Sequence, residues 1–410
     1  MLTRGDDYPL HQTADPIATA GTDRNFYDRY FFNGYSDRPD DARMFAVAFG
    51  IYPHLDIVDA HVCWLHDGRQ VNLHASARAD GERLLLRAGP IAVEIVEPLR
   101  TLRVTVDAPD HGIRADLTFT ARAAPIEEPR FTRRIGTRTL LDYTRLTQNG
   151  RYTGSIEVDG VAHDLAGFVG TRDRSWGVRP IGARDPQPPP APPQFFWLWS
   201  PCVFPDRDFY WHTNDDAHGR PWNRRAVVMP VGGAAEDETI GDATATLTWR
   251  PATRAAATAS LALALAPTTA DAPPAPRTTA APLPGEGRGP VGASQTIEDR
   301  TPTPAASGPP PTRETLTFTP VTDFMMLGLG YGHPRWAHGL DHGPLAVERE
   351  DFAPAELDRT QPHHFHVQTL ADVRWTIPDG TCRTGRGVLE QLAIGPHAPS
   401  GFTALTDVAP

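Results

Sequence analysis

The run Gly170-Thr171-Arg172-Asp173-Arg174-Ser175-Trp176-Gly177-Val178-Arg179 gathers three arginines around one aspartate and one tryptophan. In a strand, Arg172, Arg174 and Trp176 share one face, while Asp173 and Ser175 share the other. A carboxyl group turned into an apolar barrel loses hydration, which raises its pKa; nearby arginines lower it. A raised value makes Asp173 a proton donor at neutral pH. The alternative is an ion pair with a buried arginine that pins a strand end. Rings are plentiful downstream, at Phe195-Phe196-Trp197-Leu198-Trp199 and Phe209-Tyr210-Trp211. Lining a cavity, they suit a polyene, sterol or acyl chain and face a carbocation well; otherwise they are ordinary core. The candidate substrate-binding residues are Arg172, Arg174, Trp176, Trp197, Trp199, Trp211, Tyr331 and Trp336.

A second stretch with chemical potential is Gly328-Leu329-Gly330-Tyr331-Gly332-His333-Pro334-Arg335-Trp336-Ala337-His338-Gly339. Its glycines permit close backbone approach to a ligand or to another segment. His333 and His338 titrate near neutral pH and are candidates to assist the acid; bonded to carbonyls, they would simply close a barrel. In His363-His364-Phe365-His366, the residues His364 and His366 are placed on one strand face, with Glu390 or His397 as further donors. A metal site needs a third and fourth ligand in suitable geometry. The pair is read as structural, and neither a metal nor a cofactor is expected.

The remaining features narrow the function class. The chain has 410 residues, a formal net charge of −11 and three cysteines, with a pI near 5.8. That balance argues against a nucleic-acid partner, and no apolar run is long enough to span a bilayer. The N-terminus lacks the apolar stretch of a secretory signal, and sparse cysteines fit a reducing compartment, so a cytoplasmic location is expected. No GxSxG elbow, P-loop or GxGxxG fingerprint occurs, which removes support for hydrolase, kinase and dinucleotide chemistry. A hydrophobic small molecule is the expected partner, and the oligomeric state stays open.

These residues need a scaffold, and the pattern predicts strands. Residues 44–51 and 57–64 are apolar runs; Leu102, Val104 and Val106, then Ile113, Ala115, Leu117 and Phe119, alternate with polar neighbours. Period two over many segments means antiparallel sheet, and the 42 prolines and 35 glycines suit turns better than helices. Asp67-Gly68 and Asp80-Gly81 mark hairpins. Residues 1–43 read as an irregular strap, 44–184 as a first β domain, and 185–194 as a proline-rich linker or loop. Residues 195–410 read as a second β domain with a disordered insertion at 267–312. One short helix is expected within 346–358.

The run Gly167–Arg179 with Trp197-Leu198-Trp199, and Gly330-Tyr331-Gly332-His333-Pro334-Arg335-Trp336-Ala337-His338-Gly339, resemble the hydroxyneurosporene synthase-like (carotenoid 1,2-hydratase-like) superfamily, which includes the AttH-like proteins. The resemblance covers nearly the whole chain outside 267–312. It implies an all-β fold of two consecutive lipocalin-like antiparallel barrels or half-barrels. It places Asp173 where the hydratases carry the acid of an Asp-x-x-Trp-Gly run, to protonate an alkene whose cation water then traps. Thr171 stands where the carotenoid enzymes are expected to carry tyrosine, so the carotenoid itself is not carried over. The expected activity is hydration, dehydration or isomerisation of an isoprenoid-, steroid- or lipid-like molecule, with Asp173 as acid. A non-catalytic carrier and a cyclase acting by positioning, like the family's Diels–Alderases, are the alternatives.

Overall fold

The computed structural model describes residues 2–9, 23–79, 82, 84–182, 193–265 and 313–410. Among them, helix is limited to 3-10 turns such as Arg4–Asp7 and Met326–Leu329, so the all-β expectation holds. Among the described residues, fourteen strands form one sheet and eight close a barrel: a half-barrel followed by a barrel, the arrangement expected. The insertion at 267–312, most of the 185–194 linker and the Asp80-Gly81 turn lie outside the described residues.

In the first sheet the strands run in the order Leu345–Phe352, Arg69–Arg78, Ile57–His66, Met44–Tyr52, Phe26–Ser36, Phe168–Val178, Arg138–Val158, Ile113–Ala121, Thr101–Ala108, Ile91–Glu97 and Arg87–Ala88. Asp67-Gly68 makes the hairpin read from sequence: both residues take positive φ, 47° and 73°, and His66 faces Arg69 directly. One face wraps an apolar core that includes Tyr30, Phe32, Phe45, Trp64, Leu117 and Phe119. The barrel comprises Phe195–Val203, Arg207–Asp215, Pro221–Pro230, Thr239–Trp249, Ala256–Leu265, Glu314–Met325, Val367–Thr376 and Cys382–Ile394. It encloses its own core around Phe196, Leu198, Phe209, Trp211 and Trp375. A third apolar layer joins the two bodies: Tyr27, Phe31, Tyr35 and Tyr52 from the sheet meet Trp197, Trp199, Tyr210 and Val388 from the barrel.

Two expectations are corrected by this layering. Residues 26–36, inside the stretch read as an irregular strap, form a central strand buried on almost every residue. It lies between two apolar layers, so its sequence shows no alternation to read. Residues 345–352, where a helix was expected, form a strand on Arg69–Arg78. The first sheet thus takes its edge from the C-terminal half of the chain, and the boundary at 185–194 does not separate two self-contained domains.

The centre of the sheet is pinched. Gly34, Gly170 and Gly150 face one another across three neighbouring strands. A Cβ on Gly170 would sit 2.1 Å from the carbonyl oxygen of Asn33, and one on Gly34 would sit 2.3 Å from the Phe45 ring. Gly170→Ala is therefore expected to cost about 1–3 kcal/mol through overpacking, read as a lower urea midpoint with an unchanged m-value; an unaltered midpoint would show that the strands separate freely.

Candidate functional site

The Asp173 strand lies between Phe26–Ser36 and Arg138–Val158, with Asp173 opposite Phe31 and Thr147. Directly opposed residues put their side chains on the same face, so the register defines a row across the sheet. It runs Thr147, Asp173, Phe31, Ala48, His61, His74. This row looks onto the layer between the sheet and the barrel. Asp173 is 8 % exposed there, next to Phe31, whose ring makes an edge contact with Trp199.

Burial raises the Asp173 pKa to about 7, seconded by Glu128 and Glu390 and opposed by Arg145 and Arg29. Among the described residues no group hydrogen-bonds its carboxyl. Arg145, two positions along from Thr147 on the neighbouring strand and so on the same face, is the cation that bears most on this region. Its Nε donates to Glu128 at 2.8 Å, and its guanidinium covers the rings of Trp197 at 4.7 Å and Phe131 at 5.4 Å. Thr147 donates to the same Glu128 oxygen at 2.5 Å. Burial works against ionising Glu128, but Arg145 and His212 hold its pKa below the usual range.

On the barrel side, Glu390 collects three donors: Trp197 Nε1 at 2.9 Å, His366 Nε2 at 2.8 Å and Gln368 Nε2 at 2.6 Å. The Tyr331 ring packs edge-on against both His366 and His338, and its hydroxyl accepts from Arg29 at 2.8 Å. Arg29 also donates to Tyr52, which donates to Asp59. A continuous polar seam therefore crosses the aromatic layer from Glu128 to Asp59.

Of the residues singled out from sequence, Asp173, Trp197, Trp199 and Tyr331 belong to this seam. The others are placed elsewhere. Arg172 and Arg174 point to the opposite face and are wholly buried, paired with Asp7 and Asp28 respectively. Trp176 lies under the Arg174 guanidinium at 5.0 Å, and Trp211 packs inside the barrel. None of the four borders Asp173, because strand alternation turns them away from it. His333 bonds to Glu350, and Trp336 stacks on His74 and His342. His338 touches His61 at 5.2 Å between ring centres. Three strand spacings, roughly 14 Å, separate the Asp173 and His61 positions of the row. His338 and His333 pack against His61 and His74, at the end of the row away from Asp173.

The histidine pair read from 363–366 does not converge. His364 ends a 3-10 turn and bonds to the Asp358 carbonyl, while His366 pairs with Glu390. His397 faces Ser400 and Asp215.

A cleft of about 700 Å³ opens between the two bodies, bordered by Val169, Val203, Phe204, Arg122, Arg151 and Arg386. Val169 and Thr171 share Asp173's side of their strand. Thr171 is tied to Asn149, which bonds to the Cys202 carbonyl, and this bridge stands between the cleft and the acid.

Arg145 and Glu128, which help set the charge around Asp173, were missed from sequence, as were Asp59 and His61; Glu390 was named only as a further donor for the histidine pair at 364 and 366. Arg145, Asp59 and His61 are single charged or polar residues within strands, and Glu128 follows the short strand Ile126–Glu127. The usable signal was period two itself: Asp59 and His61 alternate with Val58, Ala60 and Val62.

Comparison with known proteins places the chain as follows. A candidate AttH from Nitrosomonas europaea superposes with a TM-score of 0.48 at 12% identity, over 91% of this chain and 94% of that one. CghA, solved with Sch210972, superposes with a TM-score of 0.46 at 8% identity, over 90% of this chain and 89% of its own. No curated protein matches the sequence. The profile of a family of unknown function, DUF8625, matches residues 2–272 and 310–403, and the chain belongs to that family.

Proposed function

We propose that the protein binds a hydrophobic, alkene-bearing small molecule in the aromatic layer between sheet and barrel, and that Asp173 acts on it as a general acid. The observation that carries this reading is a buried carboxyl with a pKa near 7 beside Phe31, whose ring meets Trp199 in the apolar layer that also holds Trp197. At neutral pH it is close to half protonated, so it both gives and retakes a proton. In a hydration, the Asp173 proton goes to one alkene carbon, leaving a tertiary cation on the other. The rings stabilise that cation face-on. Water adds to it, and the extra proton of the oxonium returns to the Asp173 carboxylate, which Arg145 and Arg29 stabilise while it is charged. Dehydration is the same path reversed; loss of a different proton from the cation gives isomerisation.

Native mass spectrometry of the purified chain, followed by incubation of any co-purified apolar ligand with wild type and Asp173→Asn, tests this. Turnover by wild type and a loss of at least about 10²-fold in the variant are expected for removal of a general acid. Full turnover in a folded Asp173→Asn removes the acid mechanism and favours catalysis by positioning. Ligand bound but never converted by wild type favours the carrier. In that case Arg172 and Arg174 are not its anchors, since both are committed to aspartates inside the sheet.

A further inference from the structure

We infer that Asp59, His61 and His338 form a binding site for one divalent transition-metal ion of the zinc type. Asp59 and His61 project from one face of Ile57–His66, and His338 descends from the turn-rich segment that follows Met326–Leu329. All three are buried, at 4 %, 1 % and 7 % exposure. Asp59 Oδ2 lies 4.0 Å from His61 Nε2 and 3.9 Å from His338 Nδ1, and the donor atoms of the three lie within 4.8 Å of one another. A tetrahedral ion with bonds of about 2.0–2.2 Å wants donors about 3.3 Å apart. Closing the set takes movements of about half an ångström, within the reach of side-chain torsions.

Hydrogen-bond directions select this triad over its neighbour. His74, His333 and Glu350 are also close enough to hold an ion. However, His333 Nδ1 accepts from the backbone N–H groups of Arg335 and Trp336. Its proton therefore sits on Nε2, which donates to Glu350 at 3.1 Å, leaving no lone pair for an ion. His74 Nε2 faces the same carboxylate oxygen at 3.8 Å. The 2.9 Å contact between the two Nδ1 atoms holds one proton; with an ion on His61 Nε2, that proton belongs to His61 and His74 Nδ1 accepts it. His61 Nε2 is then a bare lone pair aimed at Asp59 and His338. A ligating histidine held through its second nitrogen by a carboxylate-linked partner is the usual outer support of a metal site.

Two further observations point the same way. Among the described residues His61 Nε2 and both nitrogens of His338 have no hydrogen-bond partner, a cost of about 1–3 kcal/mol for each buried group left so, and an ion removes it for two of them. Gly330 supplies the space: with φ at +88°, a Cβ there would lie 2.9 Å from His61 Nε2 and 3.1 Å from His338 Cε1. Asp59 is already aimed, its oxygens accepting from Tyr52 at 3.1 Å and from the Gly339 N–H at 2.7 Å. Two imidazoles and one carboxylate suit zinc and its first-row neighbours rather than calcium or magnesium, which take oxygen. Three protein ligands leave a fourth position for water or substrate, the pattern of catalytic rather than structural zinc.

The test uses the full chain, stripped by chelation and titrated calorimetrically with Zn²⁺. One equivalent is expected, with a rise in melting temperature and the visible bands of a four-coordinate site when Co²⁺ replaces zinc. His338→Phe, which keeps a ring, is expected to lose affinity at least 100-fold and to show no zinc-dependent rise in melting. Where that variant does not fold, the near-isosteric Asp59→Asn takes its place with the same expectation. His333→Ala and His363→Ala are expected to bind as wild type; the second controls for the separate histidine pair at 363–364. Asp173→Asn also binds as wild type, so this inference stands or falls apart from the acid mechanism. Absence of binding to the stripped chain overturns the site. So does retention in His338→Phe or Asp59→Asn, or loss in His363→Ala.

Discussion

Asp173→Asn is expected to make the protein more stable, and increasingly so as the pH rises. The folded chain holds the Asp173 proton up to about pH 7 against an ordinary value of 3.8. Below the unfolded value both states are protonated, and burial costs nothing through ionisation. As the pH climbs from about 4 to 7 the unfolded chain releases its proton while the folded chain keeps it, so native stability falls. Above the folded value the penalty is complete: three pKa units and slightly more, at 1.36 kcal/mol each, amount to about 4 kcal/mol. An amide carries no such penalty, and Arg145 keeps its partner Glu128 in the variant. Urea unfolding of both proteins from pH 4 to 9 should show curves that meet near pH 4 and separate by a few kcal/mol above pH 7. The competing reading from sequence, a carboxylate that pins the strand through an arginine, requires the opposite sign, with the variant weaker wherever the aspartate is ionised. A difference that is negative or independent of pH removes the basis for treating Asp173 as a proton donor. A variant that gains stability while losing turnover would match the trade expected where a site stores an unfavourable group for its chemistry.

The strands of the first sheet with one wet face were legible because alternation is visible where only one side is buried: Ile113–Ala121 and Thr101–Ala108 read directly. Phe26–Ser36 was not, since two apolar layers cover it and period two disappears. Leu345–Phe352 misled for another reason. Its Glu-Arg-Glu-Asp run suits an exposed helix, yet the strand sits at a sheet edge where charged side chains are tolerated and discourage edge pairing. At the site, the motif around Asp173 pointed to a carboxyl group that is indeed buried on the face toward the barrel. Its arginines misled, since neighbours in sequence lie on opposite faces. The cation that controls Asp173 is Arg145, 28 positions earlier and adjacent only through the pairing of Arg138–Val158 with the Asp173 strand. Such partners come from register, which depends on the whole sheet and not on any local run of residues.

Arg172→Leu is expected to be among the most destabilising single substitutions in the chain, by about 3–5 kcal/mol, because it leaves a buried aspartate without its cation. Arg172 Nη1 meets Asp7 Oδ1 at 2.5 Å with both side chains essentially inaccessible. Its Nε and Nη2 also donate to Gln148 Oε1 at 3.0 and 2.8 Å. Asp7 in turn accepts from the Leu99 N–H, and Gln148 donates to the carbonyls of Leu99 and Ala123. Next to this, Arg174 bonds to the Asp7 and Tyr8 carbonyls as well as to Asp28, and Tyr30 donates to the Asp7 carbonyl at 2.6 Å. The two arginines thus fasten the N-terminal segment around Asp7 across the inner face of the sheet. Losing the Arg172 charge strands Asp7 in a site of low polarity. Replacing both partners, Arg172→Leu with Asp7→Leu, removes the orphaned charge and should recover much of the loss, so the double-mutant cycle is expected to show strong coupling. Urea midpoints for the two single variants and the double one provide the measurement. Were Arg172 instead a ligand anchor on an open surface, its removal would shift stability by no more than about 0.5 kcal/mol, and the pair would behave additively.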